Sequence, residues 1–545
     1  QPMASPDGHF HIVLNGEVYN YLELRAELAD YPYRSRTDTE AVLAAYARWG
    51  ERCVEHMVGM FAFAIWDVRQ RRLFAARDRF GVKPLYYHRT PDGGLLVASE
   101  IKALLAAGVP ARPDLNAWRD YLAHGVYDHS SRTFFDGVSA VPAGCALVAE
   151  DGRIEIRRWY DLPERARASF PDTRPEHVVA DDYLARLEAS VRLRFRSDVP
   201  VGVNVSGGLD SALLLALVHR VQGPDSAAMA FTFTCGDAEY DETPWVRRIL
   251  ERTQHPWEVC MLGAAEVPAL ARSIARAEDE PFGGVPTLAT SLLFQRARER
   301  GVVVLLDGQG LDEQWGGYDY YSEPLPGSDV AAAPRVQGSR VPATRPDLLS
   351  PDFFAPREHV APSFPLWSGE RLLDLRLRDI LHTKIPRALR FNDRVSMMHS
   401  CELREPFLDH TLVELALSQP ADRLVRGGER KVLLRRIARQ LVPDELRTAP
   451  KRPVQTPQRE WLAGPLVPWL DELCRGSRLV ASWFLPGARE QLVQALRTGA
   501  TDNSFALWQL ASVALWEAEV LERGGAAAPS PGQLGKLAEP DRGPN

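Results

Sequence analysis

No apolar run in this 545-residue chain approaches the ~18 residues that would mark a membrane span. GVVVLL at 301–306 has only the length of a strand. There is no charged-then-apolar leader, so the cytoplasm is the expected compartment and a membrane is not an expected partner. The six cysteines are scattered, with no Cys-x-x-Cys pair. That argues against a zinc site or a disulfide framework and fits a reducing compartment. There is no basic excess: the net charge is −7, which offers no reason to expect nucleic acid. Internal repeats are missing too. What remains is ordinary for a soluble protein, 45% hydrophobic and 25% charged, at a length that implies more than one domain.

The most informative stretch is VGVNVSGGLDS at 201–211. A β-branched run ends in Ser-Gly-Gly-Leu-Asp-Ser, and a helical pattern through Val221 follows. A glycine-rich turn between strand and helix lets backbone N–H groups approach phosphate, and the helix N-terminus adds partial positive charge. No Gly-Lys-Ser/Thr follows, so this is not a Walker A loop. Asp210 is a carboxylate inside a phosphate cradle, and a bridging Mg²⁺ is the natural way to reconcile the two. A second loop, LLDGQGLDEQWGGY at 305–318, leaves another apolar strand with three close glycines and two carboxylates, Asp312 and Glu313. Both loops are expected at carboxyl ends of parallel strands, where such sheets bind ligands.

Ser-Gly-Gly-Leu-Asp-Ser resembles the signature of the ATP-pyrophosphatase, or N-type, synthetases. From about His11 to about Glu522 the chain resembles the glutamine-dependent asparagine synthetases. The resemblance implies that ATP is cleaved between its α- and β-phosphates, with Mg²⁺ held by Asp210 and Asp312. It places Ser206, Gly207, Gly208 and Ser211 on phosphate, Asn204 and Phe233 against adenine, and Asp307 and Gly308 against the ribose and base. It also implies that Lys431, in GGERKVLLRR, and Lys451, in TAPKRPVQTP, contact the triphosphate and the leaving pyrophosphate. Many family members carry a carboxylate where this chain has Gln309, which leaves the acceptor open. Asp241 in YDET reads as a helix N-cap. FNDRVSMMHSCELREPFLDH at 391–410 matches a family block. There Asp393, Arg394, Glu402 and Arg404 are expected to form buried ion pairs between helices, with Glu402 a lesser candidate for a base.

Residues 10–158 read as short strands with a few helices, and 159–177 as a polar, Pro-bearing linker. From 178, helices alternate with strands at 201–205, 228–234, 255–262 and 302–307, which implies a doubly wound parallel sheet. Residues 322–364 read as an insertion or loop over the site, 370–440 and 485–522 as helical, and 524–545 as a disordered tail.

LNGEVYNY, TDTE, GMFAFAIWD, ARDRFGVKPLYY and ASEIKAL, in that order, resemble the class II (N-terminal nucleophile) glutamine amidotransferases. The resemblance implies an αββα sandwich at 1–158, with Asn15, Gly16, Glu17 and Asp38 holding glutamine's α-amino and α-carboxyl groups. Taken alone, Asn15-Gly16 also fits a plain β-turn. The family nucleophile is an N-terminal cysteine. Here the first residue is Gln1 and the first cysteine, Cys53, reads as a core thiol. Two readings stand: an upstream segment carries the nucleophile, or the enzyme takes free ammonia. The retained acidic pair favours the first. The expected enzyme, then, comprises that sandwich and an ATP-pyrophosphatase domain at 178–523. It would convert aspartate to asparagine through β-aspartyl-AMP, with ATP, Mg²⁺ and ammonia from glutamine. The alternative is a synthetase acting on a sugar acid, a peptide or a β-amino acid. A homodimer is a candidate assembly.

Overall fold

The computed structural model describes residues 1–322, 342–355, 360–451, 456–501 and 503–522. In the N-terminal half, alternating apolar residues build two facing antiparallel sheets. The larger contains Phe10–Val18, Gly59–Asp67, Arg72–Arg77, Cys145–Glu150 and Arg153–Arg158, with Met3–Ala4 on its edge. The smaller contains Leu95–Ala98, Tyr86–Arg89 and Val138–Ala140. Small residues (Ala62, Ala64, Ala75) let the sheets approach closely around Leu85 and Leu147. On the outer face of the larger sheet, Ile12, Phe61, Phe63 and Phe74 pack against the helices Tyr21–Glu27 and Asp38–Trp49. Asn15-Gly16 lies inside the first long strand rather than in a turn. Gly16 has φ +125, and a Cβ there would lie 2.0 Å from Met60 O. Only glycine fits such an approach.

The C-terminal half is built on five parallel strands in the order Trp257–Met261, Met229–Thr234, Val201–Asn204, Val304–Leu306, Glu402–Arg404. Both faces are covered, as an all-parallel sheet requires. Phe231 and Leu305 enter one core, with helices Val267–Glu278, Val285–Glu299 and Ile385–Met398. Ala230 and Leu306 enter the other, with Glu176–Arg194, Leu209–Gln222 and Thr243–Thr253. The fifth strand corrects the helical reading of 370–440: Glu402–Arg404 pairs with Val304–Leu306. At three residues it is too short for a period-2 pattern to register.

The expected linker contains a helix, Leu162–Ser169, capped by the Asp161 side chain. Leu162 and Ala166 are buried against Leu373 and Leu377, so the segment is packed between the halves. The described part of 322–364 is also packed, with Leu348, Leu349, Phe353 and Phe354 in the larger core. The rest of that segment, and the tail from 524, lie outside the described residues. Helix Leu115–His124 of the N-terminal half joins that same core, where Trp118 meets Trp483 and Trp516 at ring distances of 5.2 and 4.9 Å. No described helix is long and apolar enough to cross a membrane.

Candidate active site

A cavity of about 640 Å³ opens at the carboxyl ends of the parallel strands. Asn204, Ser206, Gly207, Gly208, Asp210, Ser211, Phe233, Asp307, Gly308, Asp312, Lys431 and Lys451 all line it. Twelve residues read from five separate stretches of sequence thus converge on one space.

The first loop is tied by its own hydroxyls. Ser211 Oγ accepts from Ser206 N at 3.0 Å and donates to Ser206 O at 3.0 Å. These bonds hold the turn open ahead of helix Leu209–Gln222 and leave its N-terminus facing the cavity. Gly308 of the second loop comes so close that a Cβ there would lie 3.3 Å from Ser211 N. Gly317 backs the acidic pair, where a Cβ would lie 1.8 Å from Asp312 Oδ1.

Charge is concentrated at one point. Lys431 Nζ donates to Asp210 Oδ1 at 2.6 Å and stands 2.7 Å from Asp312 Oδ1, while Lys451 Nζ donates to Asp312 Oδ2. Burial pushes the Asp312 carboxyl up, but the two ammoniums overcome it and hold the group well below the usual carboxylate range. Asp210 differs: burial and the neighbouring Asp312 charge outweigh Lys431 and raise it. Lys431 itself sits at φ +57 ahead of helix Val432–Ile437, an uncommon conformation for a residue with a side chain. Such strain persists where the surroundings over-determine it. The solvated helix charge that sequence alone would suggest is excluded, since Lys431 is 4% exposed.

Asn15 and Glu17 project from one face of the strand Phe10–Val18, and Asp38 opens helix Asp38–Trp49 beside them. Asp38 Oδ2 accepts from Val18 N at 3.0 Å. Glu17 is pushed up to about 7 by burial and by the charges of Glu402 and Asp38. Cys53 is fully buried in the N-terminal core, and burial raises its thiol, as expected of a core cysteine.

The block at 391–410 does form buried ion pairs: several join the two halves, while Asp409 meets Arg194 of helix Glu176–Arg194 at 3.2 Å within the C-terminal half. Lys83 Nζ meets Asp393 at 2.9 Å and Arg394 lies 3.6 Å from Glu100; just ahead of the block, Arg390 lies 2.8 Å from Asp128 and 3.0 Å from Glu278. Arg404 pairs with Glu402 at 2.6 Å and approaches Glu17 at 3.9 Å. These contacts account for Lys83 of ARDRFGVKPLYY and Glu100 of ASEIKAL, charges that had no individual reading from sequence. Asp241 serves as an outer cap, accepting from Thr243 N at 3.0 Å, although Glu242 holds the N-cap position. Sequence reasoning missed His124, Gly125 and Tyr127, which bring the N-terminal half to the cavity wall, and Arg387 and Asn392 opposite the loops. No local pattern marks them.

Comparison with known proteins gives a family model described as asparagine synthase over residues 182–518. A model described as a glutamine amidotransferase domain matches residues 1–160. Glutamine-hydrolyzing asparagine synthetase 3 of Bacillus subtilis is 30% identical, across 91% of this chain and 84% of its own. Glutamine-hydrolyzing asparagine synthetase 1 of the same organism is 27% identical, across 96% and 88%. Amidase chry2 of Gibberella zeae is 29% identical, across 87% and 81%.

Proposed function

From the premise that this chain belongs to the asparagine synthase family and carries a glutamine amidotransferase domain, we propose that it converts aspartate to asparagine in an ATP-pyrophosphatase-type site. The observation that carries this reading is the Lys431 ammonium seated between Asp210 and Asp312 at the strand ends, 2.6 and 2.7 Å away. Two buried carboxylates already share one cation there, and Asp312 Oδ1 has no hydrogen bond of good geometry. Such hard oxygen donors suit Mg²⁺, whose remaining ligands would be phosphate oxygens and water. When bound, Mg²⁺ would supply positive charge to the departing pyrophosphate.

The chain's own groups do the rest. N–H groups of 206–211 face the phosphates, Asn204 and Phe233 face adenine, and Asp307 and Gly308 face the ribose. Lys431 and Lys451 turn from the carboxylates to the triphosphate and stabilise the charge that builds on it. Attack of the acceptor carboxylate on the α-phosphorus gives an acyl-adenylate and pyrophosphate, and ammonia then displaces AMP. Ammonia would come from glutamine held by Asn15, Gly16, Glu17 and Asp38.

A second reading, amide formation on another carboxylate, is favoured by Gln309 at the cavity rim. The test is acceptor-dependent exchange of pyrophosphate into ATP, with aspartate set against sugar acids and peptides, followed by amide assay with ammonium. Aspartate-dependent exchange and asparagine formation are expected. Exchange with another acid and none with aspartate would select the second reading, and no exchange with any acid would defeat both.

A further inference from the structure

The edge strand Glu402–Arg404 links the two halves and ends beneath the cavity. Arg404 turns toward Glu17, and the next residue, Glu405, is buried, 3% exposed, behind the cavity-lining Asp307, Gln309 and Asn392. Leu306 pairs with Arg404, and Asp307 N donates to Arg404 O at 3.0 Å. Asp307 and Glu405 therefore stand side by side at neighbouring strand ends. Neither oxygen of Glu405 has a hydrogen bond of good geometry. The groups facing it are Asp307, the Gln309 N–H, the Asn392 amide and the Arg194 guanidinium.

Of the carboxylates lining the cavity, Asp210 and Asp312 are held by lysines, and Glu242 stands behind Gly207 on the phosphate side. Among the described residues Asp307 has no cation within ion-pair distance; its Oδ1 accepts only from Gly308 N, at 2.8 Å. Glu402 is committed to Arg404, and Gln309 cannot take a proton at neutral pH.

We propose that Asp307 and Glu405 hold one proton between them, and that Asp307 accepts the proton released when ammonia attacks the activated carboxyl group. The inference rests on the synthetase reading above. The ammonia lone pair forms the C–N bond, the acyl C–O bond breaks, and AMP leaves with that electron pair. The surplus proton on nitrogen passes to Asp307. Glu405 is the positioning residue, donating its hydrogen to the far side of Asp307. Two adjacent buried carboxylates cannot both ionise easily. Burial and the Asp307 charge push Glu405 far above the carboxylate range, so it is the protonated member at neutral pH. Burial raises Asp307 only to about 6, so it is ionised and able to accept. The strand that reaches the glutamine pocket ends at this pair, on the side from which ammonia would arrive.

The test compares two readouts on the full chain: acceptor-dependent pyrophosphate exchange, which ends at the adenylate, and amide formation from ammonium. Asp307→Asn should lower the ratio of amide to exchange by about 100-fold. It should also abolish an acid limb near pH 6 in the amide-forming rate. Glu405→Gln keeps a donor and should hold the ratio within about threefold, whereas Glu405→Leu should lower it about tenfold. If Asp307→Asn depresses both readouts equally while raising the KM for ATP, Asp307 only clamps the ribose and the proposal is overturned. Equal ratios in Glu405→Leu and wild type would remove Glu405 from the pair. Failure of exchange in the wild type itself would instead strike the synthetase reading.

Discussion

The molecule contains two pairs of carboxylates at two proposed ligand sites, and they are in opposite electrostatic states. Asp210 and Asp312 face two lysines, one of them directly between the pair. Among the described residues Glu17 and Asp38 have no cation nearer than Arg404, 3.9 Å from Glu17. The first pair is charge-balanced before any ligand arrives, so it suits a ligand that brings both anionic phosphate and a cation. The second is unbalanced. Burial raises both Glu17 and Asp38, and each carboxylate is disfavoured further by acidic neighbours. An incoming ammonium would relieve that directly, which is the chemistry glutamine's α-amino group offers. Two acidic residues near a strand end are therefore not one kind of site; the surrounding cations decide what they receive.

The comparison can be broken at several points. The largest effect is expected from Asp312→Asn, which leaves both lysines without their shared partner. Pyrophosphate exchange should fall by about three orders of magnitude while the circular-dichroism spectrum is unchanged. Near-normal exchange would mean the balanced pair is only structural. Next, Lys451→Ala should cost ~2–4 kcal/mol in the transition state, seen mainly in kcat. A loss in KM for ATP alone would make Lys451 a ground-state contact. On the other side, Gly16→Ala forces a Cβ into Met60 O and should destabilise the N-terminal half by about 2–4 kcal/mol in denaturant unfolding. An unchanged midpoint would show that the strand can shift.

The smallest effect sharpens the comparison most. Glu17 titrates near 7 in the folded chain, against its ordinary 4.5. Between those values the folded state binds more protons, so this group's contribution to stability falls as pH rises. Glu17→Gln removes that loss and should raise Tm at pH 8 relative to wild type, with little difference at pH 4.5. The reverse pattern would mean that Glu17 is stabilised as an anion and that its pair is balanced after all.

That the two glycine-rich loops face one cavity was legible because their sequence signals are local. Ser206 to Ser211 contains its glycines, its hydroxyl ties and its carboxylate within one turn, and β-branched residues before it and a helical pattern after it set its place. The five-strand sheet was legible for four strands, whose apolar runs are bounded by turns. The fifth was not. Glu402–Arg404 is strand only because Val304–Leu306 lies beside it, and its Arg404 reaches Glu17 in the other half of the chain.

What the sequence determined by itself was the residue types at each loop and the alternation that makes strands and helices. The tertiary structure decided which charges meet. Lys431 had every local mark of a surface lysine until a left-handed turn carried it between two aspartates from distant loops. Asp393 and Lys83, 310 positions apart, became a buried pair only when the halves docked. Glu405 acquired an acidic neighbour only through strand register. Backbone preference acts over a few residues and is written along the chain, whereas the energy of a buried charge depends on everything within several ångströms and is fixed only once the chain has folded.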